Sequence, residues 1–386
     1  MNRREESIAV IGPLPPHRGG ISEFGLRLHR ALASVCEPHT FAFSRQYPAL
    51  LYPGPSDRNP DAAAVVDPGV AYTLDSMNPF TWFATARAAV RTNPLALVVQ
   101  WWTVFWWPAF YLIARYARSR GTPVILLCHN MVDHEGAAWK RFLSARMMRQ
   151  ADAFVVHSTE HRQQIEHQFP GKPVMFAPIP AYHEHPPSTA PLPKRGRLEL
   201  LFFGFIRPYK GLDVLLDALE LLRDEDVYLT VAGEAWSDSE QTIARLRRMQ
   251  SERIELHIEF VSDSAAAALI ERADAVVLPY LAASGSAVTA LAYNFDTPVI
   301  ASRIGGLCDA VVEGQTGVLF RAGDAHDLAE AIRNIDRDTL TAMTSSVASY
   351  RSQNSWGAYA EKISDLARRI SSGPVRKLAP APTSTP

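Results

Sequence analysis

The sequence predicts an α/β protein built from two doubly wound, Rossmann-like domains. Short apolar runs alternate with segments of helical period, which is the spacing of βαβ units in a parallel sheet. A proline-rich stretch at 182–197, YHEHPPSTAPLPKRGR, interrupts this alternation near the middle of the chain. The chain has 386 residues, more than one hydrophobic core usually organises, so we expect this stretch to join two domains.

The first half of the chain supplies the first domain, which is predicted over 1–185. Helices are expected at 21–34 and from the aromatic stretch 101–107 to residue 118, whereas 47–67 is rich in Pro, Asp and Asn and should form a long loop. Buried strands are predicted at 7–11, 95–100, 123–128 and 153–156. Because right-handed crossovers join parallel strands, the carboxyl ends of these strands should share one edge of the sheet.

The second domain is predicted over 198–354, after a linker at 186–197. Its strands are expected at 199–203, 228–232, 254–259, 275–279 and 298–301. The tail at 372–386 has no apolar period and is expected to be disordered. In a protein with this architecture, the cleft between the two domains is the first place to expect a ligand.

The composition excludes several classes of protein. A formal net charge of -1 provides no overall attraction for nucleic acid, so any anion site must be local. Cys36, Cys128 and Cys308 are far apart, which fits a reducing compartment and offers neither a disulfide framework nor a metal knuckle. No signal peptide is recognised, because Gly12 and Pro13 end the first apolar run, and we expect a cytoplasmic location.

The segment 95–114, LALVVQWWTVFWWPAFYLIA, contains no charged residue and has about the length of a membrane span. Gln100 and Pro108 interrupt it, and its aromatic residues lie in the middle rather than at the ends. A buried strand followed by an aromatic loop and a helix is the preferred interpretation. Four tryptophans are suited to a core, a ligand cleft or a membrane-facing edge: Trp101, Trp102, Trp106 and Trp107.

Two cations follow a predicted strand of the second domain. In the segment 200–211, LLFFGFIRPYKG, Arg207 and Lys210 come just after an apolar run and the turn residue Gly204. Open α/β sheets bind ligands outside the carboxyl ends of their strands. A guanidinium and an ammonium at that place are suited to a diphosphate, the alternative being an exposed basic pair that solvates a turn.

Small residues at two other strand ends favour anion binding through the backbone. Gly19 and Gly20 follow the first strand and permit a close approach at a helix N-terminus, although the Gly-x-Gly-x-x-Gly spacing is missing. In the second domain, Ser284, Gly285 and Ser286 offer hydroxyls and amides just before a predicted helix. A tight turn and simple N-capping are the alternatives, and capping is compatible with binding.

A third polar cluster is CHNMVDHE at 128–135. It concentrates polar groups where the first domain should face the cleft, at His129, Asn130, His134 and Glu135. His129 is suited to orienting or polarising a hydroxyl, and a hydrogen-bonded structural histidine is the alternative. A zinc site made from His129, His134 and Glu135 is disfavoured because the spacing is not His-Glu-x-x-His.

Taken in order, these motifs resemble the family 4 retaining glycosyltransferases of the GT-B fold, over nearly the whole chain from Ile8 to about Ile370. The resemblance is carried by GPLPPHRGGI, CHNMVDHE, ADAFVVHS, GFIRPYKGLDVLLDAL, LTVAGE, ADAVVLPY, SGS and TPVIASRIGGLCDAVVEGQTGVLF. It implies two domains that close over a nucleotide-diphosphate sugar, and a final helix at 355–371 that crosses back onto the first domain. It also implies hexosyl transfer with retention of configuration, in which the leaving phosphate takes the acceptor proton.

The resemblance assigns roles position by position. Arg207 and Lys210 match the basic pair that neutralises the donor diphosphate, so the largest catalytic share is expected there. Gly20, beside Gly19, matches the glycine loop that lets the first domain close on that phosphate. His129 matches the histidine near the transferred sugar. A metal is unnecessary if the two cations do this work, and no cofactor is expected besides the donor.

The contacts expected to the rest of the donor depart from the family pattern. The nucleotide base is expected beside Phe260 and Val261, but a pair of glutamates common in the family is replaced by Ala283 and Leu291. The chain resembles a PY…SG subset, in which 284–286 would supply the missing contacts. The alternative is a weak or inactive relative that binds nucleotide sugars or a partner protein. A nucleotide-sugar epimerase is disfavoured because it needs acids and bases around the sugar.

The acceptor is expected against the first domain, near Asn130, His134, Glu135 and Trp102. A glycan or a lipid-linked saccharide precursor is the acceptor class that we expect. The segment 139–150, WKRFLSARMMRQ, pairs an apolar face with basic residues. This pattern is typical of an ordinary amphipathic surface helix, and also of peripheral contact with the inner face of a membrane.

Overall fold

The computed structural model describes residues 6–48, 57–59, 63–130, 138–181, 191–249, 251–283 and 285–372. Within these ranges the chain forms two parallel sheets, each covered by helices on both faces. The predicted α/β class with two Rossmann-like domains is therefore confirmed. The predicted boundary between residues 185 and 186 lies outside the described residues, as does the tail from residue 373 onward.

The first domain contains the larger sheet. Its strands are β1 (Ser7–Ile11), β2 (Glu37–Arg45), β3 (Val70–Asp75), β4 (Leu97–Trp101), β5 (Val124–Cys128), β6 (Ala153–Val156) and β7 (Val174–Phe176). Its helices are α1 (Gly20–Leu32), α2 (Pro79–Arg91), α3 (Trp107–Ser119), α4 (Ala138–Met148) and α5 (Thr159–Gln168), with a 3-10 helix at Val104–Trp106. Among the described residues the strand order is β3-β2-β1-β4-β5-β6-β7, and every pairing is parallel.

The second domain is organised in the same way. Its strands are β8 (Leu198–Phe203), β9 (Val227–Ala232), β10 (Ile254–His257), β11 (Ala275–Leu278), β12 (Val299–Ser302) and β13 (Gly317–Phe320). Its helices are α6 (Leu212–Leu221), α7 (Glu240–Met249), α8 (Asp263–Arg272), α9 (Ala287–Asn294), α10 (Gly305–Ala310), α11 (Ala325–Arg333) and α12 (Arg337–Gln353), with 3-10 helices at Pro208–Lys210 and Ser237–Ser239. The order of the described strands is β10-β9-β8-β11-β12-β13.

Two hydrophobic layers enclose the first sheet. Helices α2 to α5 cover one face, where Phe110 and Met147 pack with strand residues such as Val99. The other face is covered by α1 and by the last described helix, α13 (Trp356–Ser371). Because α13 packs against α1, the chain returns to the first domain after completing the second.

Four strands were not predicted from the sequence. β2 and β3 carry several polar residues, β7 has only three residues, and β13 is short and begins with a glycine, so their apolar signal is weak. β10 ends at His257, two residues before the predicted end. Of the predicted loop at 47–67, the described parts contain no helix or strand.

The tryptophan-rich segment forms β4, the 3-10 helix and most of α3, as its preferred interpretation predicted. Trp101 and Trp106 are fully buried and belong to the core of the first domain. Across the described ranges, the helices lack the combination of length and apolarity that a bilayer span requires.

Candidate active site in the interdomain cleft

A cleft of about 610 Å³ lies between the two domains. Both sheets present the carboxyl ends of their strands to it, which is where open α/β sheets bind ligands. The first domain contributes the loop after β1 and the residue Asn130 after β5. The second domain contributes the residues that follow β8, β9, β10 and β11. Of the predicted site residues, the cleft lining contains Gly19, Gly20, Asn130, Arg207, Lys210, Phe260, Val261, Gly285 and Ser286.

Lys210 is a buried cation that faces the cleft. It ends the 3-10 helix after β8 and is followed by Gly211, whose left-handed backbone (φ 64°) and close approach to the Pro279 carbonyl exclude a side chain. The Lys210 side chain is only 8% exposed, and its Nζ lies 5.2 Å from the centre of the Tyr280 ring. Burial lowers its pKa from the usual 10.5, and Arg207 lowers the pKa further.

Among the described residues, no carboxylate forms an ion pair with Lys210. A buried ammonium without a counterion is costly, and an anionic ligand in the cleft would remove that cost. A side chain at Gly204 would lie 3.0 Å from the Lys210 Nζ and 3.6 Å from Val288. The ammonium is therefore close to the first turn of α9.

Arg207, in contrast, is half-buried and already held in place. Its Nη2 donates to Asp238 Oδ2 at 2.8 Å, and its guanidinium lies 4.3 Å from the centre of the Trp236 ring. These contacts fix the orientation of a planar cation at the cleft while leaving other N–H donors for a ligand. Neither Asp238 nor Trp236 was singled out in the sequence, because the segment after β9 that holds them, Trp236 and the 3-10 helix Ser237–Ser239, has no clear apolar period.

Two helix N-termini meet at the cleft. α1 begins at Gly20 after Gly19, whose φ of 103° suits only glycine, and no side chain caps the helix. α9 begins after Ser286, whose Oγ accepts a hydrogen bond from Thr289 N at 3.4 Å. A Cβ at Gly20 would lie 2.8 Å from the Ala287 Cβ, so the two ends approach each other closely. Both ends carry the positive pole of a helix dipole, which favours an anion between them.

His129 lies behind the cleft lining rather than in it. Its Nε2 is 3.1 Å from Gln100 Oε1, and its ring packs edge-on against Phe24 and 5.4 Å from His157. Burial holds the pKa of His129 well below the usual 6.5, and the neighbouring His157 lowers the pKa further. The histidine is therefore neutral at physiological pH, and Asn130 is the residue of this strand end that reaches the cleft.

The placement of Trp102 corrects one prediction. Its side chain is buried in the core of the first domain, where it packs on Phe43, Trp106 and Phe110. The ring is therefore not available to an acceptor. It is the Trp102 backbone carbonyl that faces the site, since it accepts a hydrogen bond from Asn130 Nδ2 at 3.3 Å.

Ser284, His134 and Glu135 lie outside the described residues. Within the ranges that the structure describes, no three His, Cys, Asp or Glu side chains come together in a way that could hold a metal ion. The zinc alternative raised from the sequence involves His134 and Glu135, so it falls outside what the structure describes.

The two positions where glutamates are common in the family have apolar surroundings. Leu291 packs against apolar residues of both domains, and the Ala283 carbonyl accepts a hydrogen bond from Gly306 N. Carboxylates reach the cleft lining from other positions: Glu23, Glu234, Glu259 and Asp263. The carboxylates of the cleft thus come from the first turn of α1, the segments after β9 and β10, and the start of α8.

One of these carboxylates forms an ion pair across the cleft. Arg18 Nη1, from the loop before α1, lies 3.0 Å from both carboxylate oxygens of Glu234, after β9. The Arg18 guanidinium also lies 4.7 Å from the centre of the Phe260 ring. A second link joins the domains where Thr159 donates from its N and Oγ1 to Asp309, both at 2.6 Å. Sequence reasoning missed these four residues as partners, although Arg18, Glu234 and Asp309 lie inside family-like motifs and Thr159 directly follows one.

Comparisons with known proteins address both domains. The family model described as Glycosyltransferase Family 4 matches residues 18–180, and the model described as Glycosyl transferases group 1 matches residues 197–338. The first match covers the loop before α1 and most of the first domain. The second covers the segment from just before β8 to α12 and includes both cations.

Curated relatives align over part of their length. A D-inositol 3-phosphate glycosyltransferase from Corynebacterium glutamicum is 28% identical over 249 residues, which is 59% of this chain and 59% of the relative. A GDP-mannose:glycolipid 4-beta-D-mannosyltransferase from Xanthomonas campestris pv. campestris is 29% identical over 184 residues, 47% of this chain and 50% of the relative. The chain thus spans between half and three fifths of these relatives.

Solved structures match almost the whole chain. Sucrose-phosphate synthase from Thermosynechococcus elongatus has a TM-score of 0.72 at 18% identity and covers 95% of this chain and 99% of its own. Anabaena HepE, in complex with UDP, has a TM-score of 0.69 at 16% identity and covers 93% and 98%. At this identity the likeness concerns the fold, and it confirms the predicted GT-B arrangement. Since the two family models match one domain each, the chain belongs to glycosyltransferase family 4.

Proposed function

We propose that this protein transfers a hexosyl group from a nucleotide-diphosphate sugar to an acceptor, with retention of the anomeric configuration. The observation that carries the proposal is Lys210, a buried ammonium that faces the cleft and has no carboxylate counterion among the described residues. A donor diphosphate would supply that counterion. Arg207 and the N-termini of α1 and α9 would hold the remaining phosphate oxygens.

The same groups would assist the chemical step. When the bond between the sugar and the diphosphate breaks, negative charge grows on the leaving phosphate, and fixed cations nearby lower the barrier. The leaving phosphate then takes the proton of the acceptor hydroxyl on the same face of the sugar. His129 is neutral and lies behind the lining, where its contact with Gln100 would hold the strand end whose Asn130 reaches the cleft. No metal is needed for this scheme, because the two cations neutralise the leaving group.

The acceptor is proposed to be a glycan or a lipid-linked saccharide precursor, bound on the first-domain side near Asn130. One relative is named for D-inositol 3-phosphate and another for a glycolipid, and the second name supports a lipid-linked acceptor. A lipid-linked acceptor would place the protein at the inner face of a membrane, as a peripheral protein.

Ligand-induced stabilisation tests the donor site. We expect one or more of UDP-, GDP- and ADP-sugars to raise the melting temperature, because a ligand that binds only the folded state stabilises it by mass action. Lys210→Met keeps the length of the side chain and removes the charge. It should abolish that rise and stabilise the unliganded protein by about 1 kcal/mol, since a buried charge is lost.

The matched control is Lys362→Met, which removes an exposed lysine of α13 far from the cleft lining. It should leave both the melting temperature and the donor effect unchanged. A Lys210→Met protein that still responds fully to the donor would contradict the assigned diphosphate site.

A second candidate is a family member that binds nucleotide sugars without turnover, and the specific observation in its favour is the apolar pair Ala283 and Leu291. Hydrolysis and transfer assays distinguish the two candidates. Donor stabilisation without hydrolysis or transfer to any acceptor would favour the second.

A further inference from the structure

The first domain exposes a group of large apolar side chains on one side. Most prominent is Phe80, which is 85% exposed in the first turn of α2. The group consists of Met77, Phe80, Phe83, Phe105, Trp139 and Phe142, and is called the aromatic face below. Large exposed aromatic residues are costly in water and often mark a surface that binds something.

The elements that carry these residues are neighbours in the fold. Helices α2, α3 and α4 share one face of the first sheet, because their buried residues belong to a single core cluster. Helix α3 packs against both α2 and α4, and α4 also contacts the 3-10 helix that contains Phe105. Three of them lie in the first turn of the helix that follows a strand: Phe80 in α2 after β3, Phe105 in the 3-10 helix after β4, and Trp139 in α4 after β5. These first turns lie at the carboxyl edge of the sheet, which opens into the cleft.

The charge on the same three helices is one-sided. Helices α2, α3 and α4 contain seven basic residues and no acidic residue: Arg87, Arg91, Arg115, Arg118, Lys140, Arg141 and Arg146. The whole chain, in contrast, has 39 basic and 40 acidic residues. The cations of α2 and α3 lie in the second halves of these helices, and Arg118 is paired with Asp152 at 3.2 Å, so α4 supplies the cations nearest the aromatic face.

On α4 the basic and aromatic groups are interleaved. The Lys140 Nζ lies 5.9 Å from the centre of the Trp139 ring, and the Arg146 guanidinium lies 5.4 Å from the Tyr111 ring. Long basic side chains with apolar stems beside aromatic rings suit the boundary between lipid headgroups and acyl chains. Anionic headgroups would also complement the charge of the helices, each nearby cation contributing about 1 kcal/mol.

We propose that the aromatic face is a docking surface for an anionic lipid bilayer. The aromatic side chains would enter the headgroup region, and Lys140, Arg141 and Arg146 of α4 would contact anionic headgroups. The aromatic face lies at the edge of the first sheet that opens into the cleft. Its role in the cell therefore rests on the proposed function, which it deepens by naming the surface that would meet a lipid-linked acceptor. A lipid-linked acceptor could then reach the cleft without leaving its bilayer.

Vesicle binding of the full chain tests the proposal directly. The protein should cosediment with vesicles of phosphatidylcholine and phosphatidylglycerol, and much less with phosphatidylcholine alone. Replacing Phe80 and Phe142 by Ser, or Lys140 and Arg141 by Ser, should each lower the partition constant about tenfold or more. Raised salt should weaken the binding, because it screens the headgroup charge.

The controls remove equivalent groups from the second domain. Leu221→Ser takes away an exposed apolar side chain there, and the pair Arg223→Ser with Arg321→Ser takes away two exposed cations. These variants should bind vesicles like the parent protein. All variants should keep the parent melting temperature, because the side chains changed are on the surface.

Two results would overturn the proposal: absence of binding to the anionic vesicles, or equal losses in the control variants. If the aromatic face instead joins two copies of the chain, sedimentation would show a concentration-dependent dimer that the Phe80 and Phe142 variant loses. That result would also contradict the lipid assignment. The rise in melting temperature caused by a nucleotide sugar, measured on the same proteins, tests the transferase function separately from the lipid-binding surface. A chain that binds vesicles but no nucleotide sugar would remove the proposed function and leave the lipid surface.

Discussion

At the level of single residues, Arg207 and Lys210 are three positions apart but have different environments. Arg207 is oriented by Asp238 and Trp236, so its charge is partly neutralised before any ligand arrives. Lys210 is buried and has no described carboxylate partner, so its charge is available to a ligand. We therefore expect Lys210 to dominate the strength of diphosphate binding and Arg207 to dominate its geometry.

A second buried titratable group lies behind the cleft, and it should influence stability. His157 Nδ1 donates to the Ala177 carbonyl at 3.0 Å, while Nε2 has no hydrogen-bond partner among the described residues. Burial lowers the pKa of His157 to about 4 from the usual 6.5. The unfolded chain therefore binds a proton more readily than the folded chain between pH 6.5 and pH 4, and folding stability falls on acidification through that window.

We expect His157→Asn to reduce this acid sensitivity. An asparagine amide can still donate to Ala177, but it does not titrate, so about 3 kcal/mol of the pH-dependent loss should disappear. Urea unfolding at a series of pH values measures the effect. Tryptophan fluorescence is a suitable signal, since Trp236 alone among the eight tryptophans belongs to the second domain.

The exposed His326 of α11 provides a matched control for this measurement, and His326→Asn should keep the parent slope. If His157→Asn unfolds with the same dependence on pH as the parent protein, the buried histidine is not the source of the acid sensitivity.

At the level of elements, the site depends on how closely the first turns of α1 and α9 approach each other. Gly20 begins α1 and Ala287 begins α9, and no Cβ fits between them without a shift. The approach places both positive helix ends at the cleft lining with Lys210. Leu291 and Ala287 of α9 add apolar contacts to the first-domain core on the same side.

We predict that Gly20→Ala lowers donor affinity about tenfold, because the added methyl group forces the helix ends apart at a cost typical of an overpacked contact. Isothermal titration with the nucleotide sugar that stabilises the parent protein would measure the loss. Combining it with Ala287→Gly should restore much of the affinity, since the space for the methyl group returns. Gly357→Ala, whose Cβ would meet only Ser355 Oγ at 3.9 Å, is the control and should bind normally.

If Gly20→Ala binds donor as tightly as the parent protein, the close helix contact is not needed for binding. If the double variant is no better than the single one, the loss has another cause.

The sequence was sufficient for the buried strands and for the strand ends that form the site. β1 and β6 have the predicted bounds because their residues are apolar on both faces. β3 was missed because it is an edge strand, where polar residues are tolerated, and β2 was missed because it carries Glu37, His39 and Thr40 although it pairs on both sides. Arg18 and Glu234 could not be predicted as partners, because their contact depends on how two separately folded domains are placed. Trp102 was misjudged because Trp101 and Trp102 are adjacent at the end of β4, and the sequence does not indicate whether one or both of the two rings face the core.

At the level of the whole molecule, the two domains are held together by polar links and by an apolar interface. Arg18 with Glu234 and Thr159 with Asp309 cross between the domains, and Ala290 of α9 packs in the core cluster of the first domain. The polar links are exchangeable with water, so they suit a contact that opens and closes around a ligand.

We predict that Arg18→Ala and Glu234→Ala each increase the radius of gyration measured by small-angle X-ray scattering, because the closed arrangement loses an ion pair. The exchange of charges, Arg18→Glu with Glu234→Arg, should return the radius toward the parent value. Arg45→Ala is the control, since Arg45 pairs with Asp75 at 2.7 Å within the first domain. Single variants with an unchanged radius would show that this ion pair does not hold the domains closed.

Helix α13 also has a consequence for how the protein is made. Trp356, Tyr359 and Ile363 complete the core cluster that contains Phe24 and Leu28 of α1. During translation, that surface of the first domain remains uncovered until the second domain has been synthesised, because α13 is the last described element. The domain that leaves the ribosome first is therefore finished last, and its nascent form is the stage at which protection from aggregation matters most.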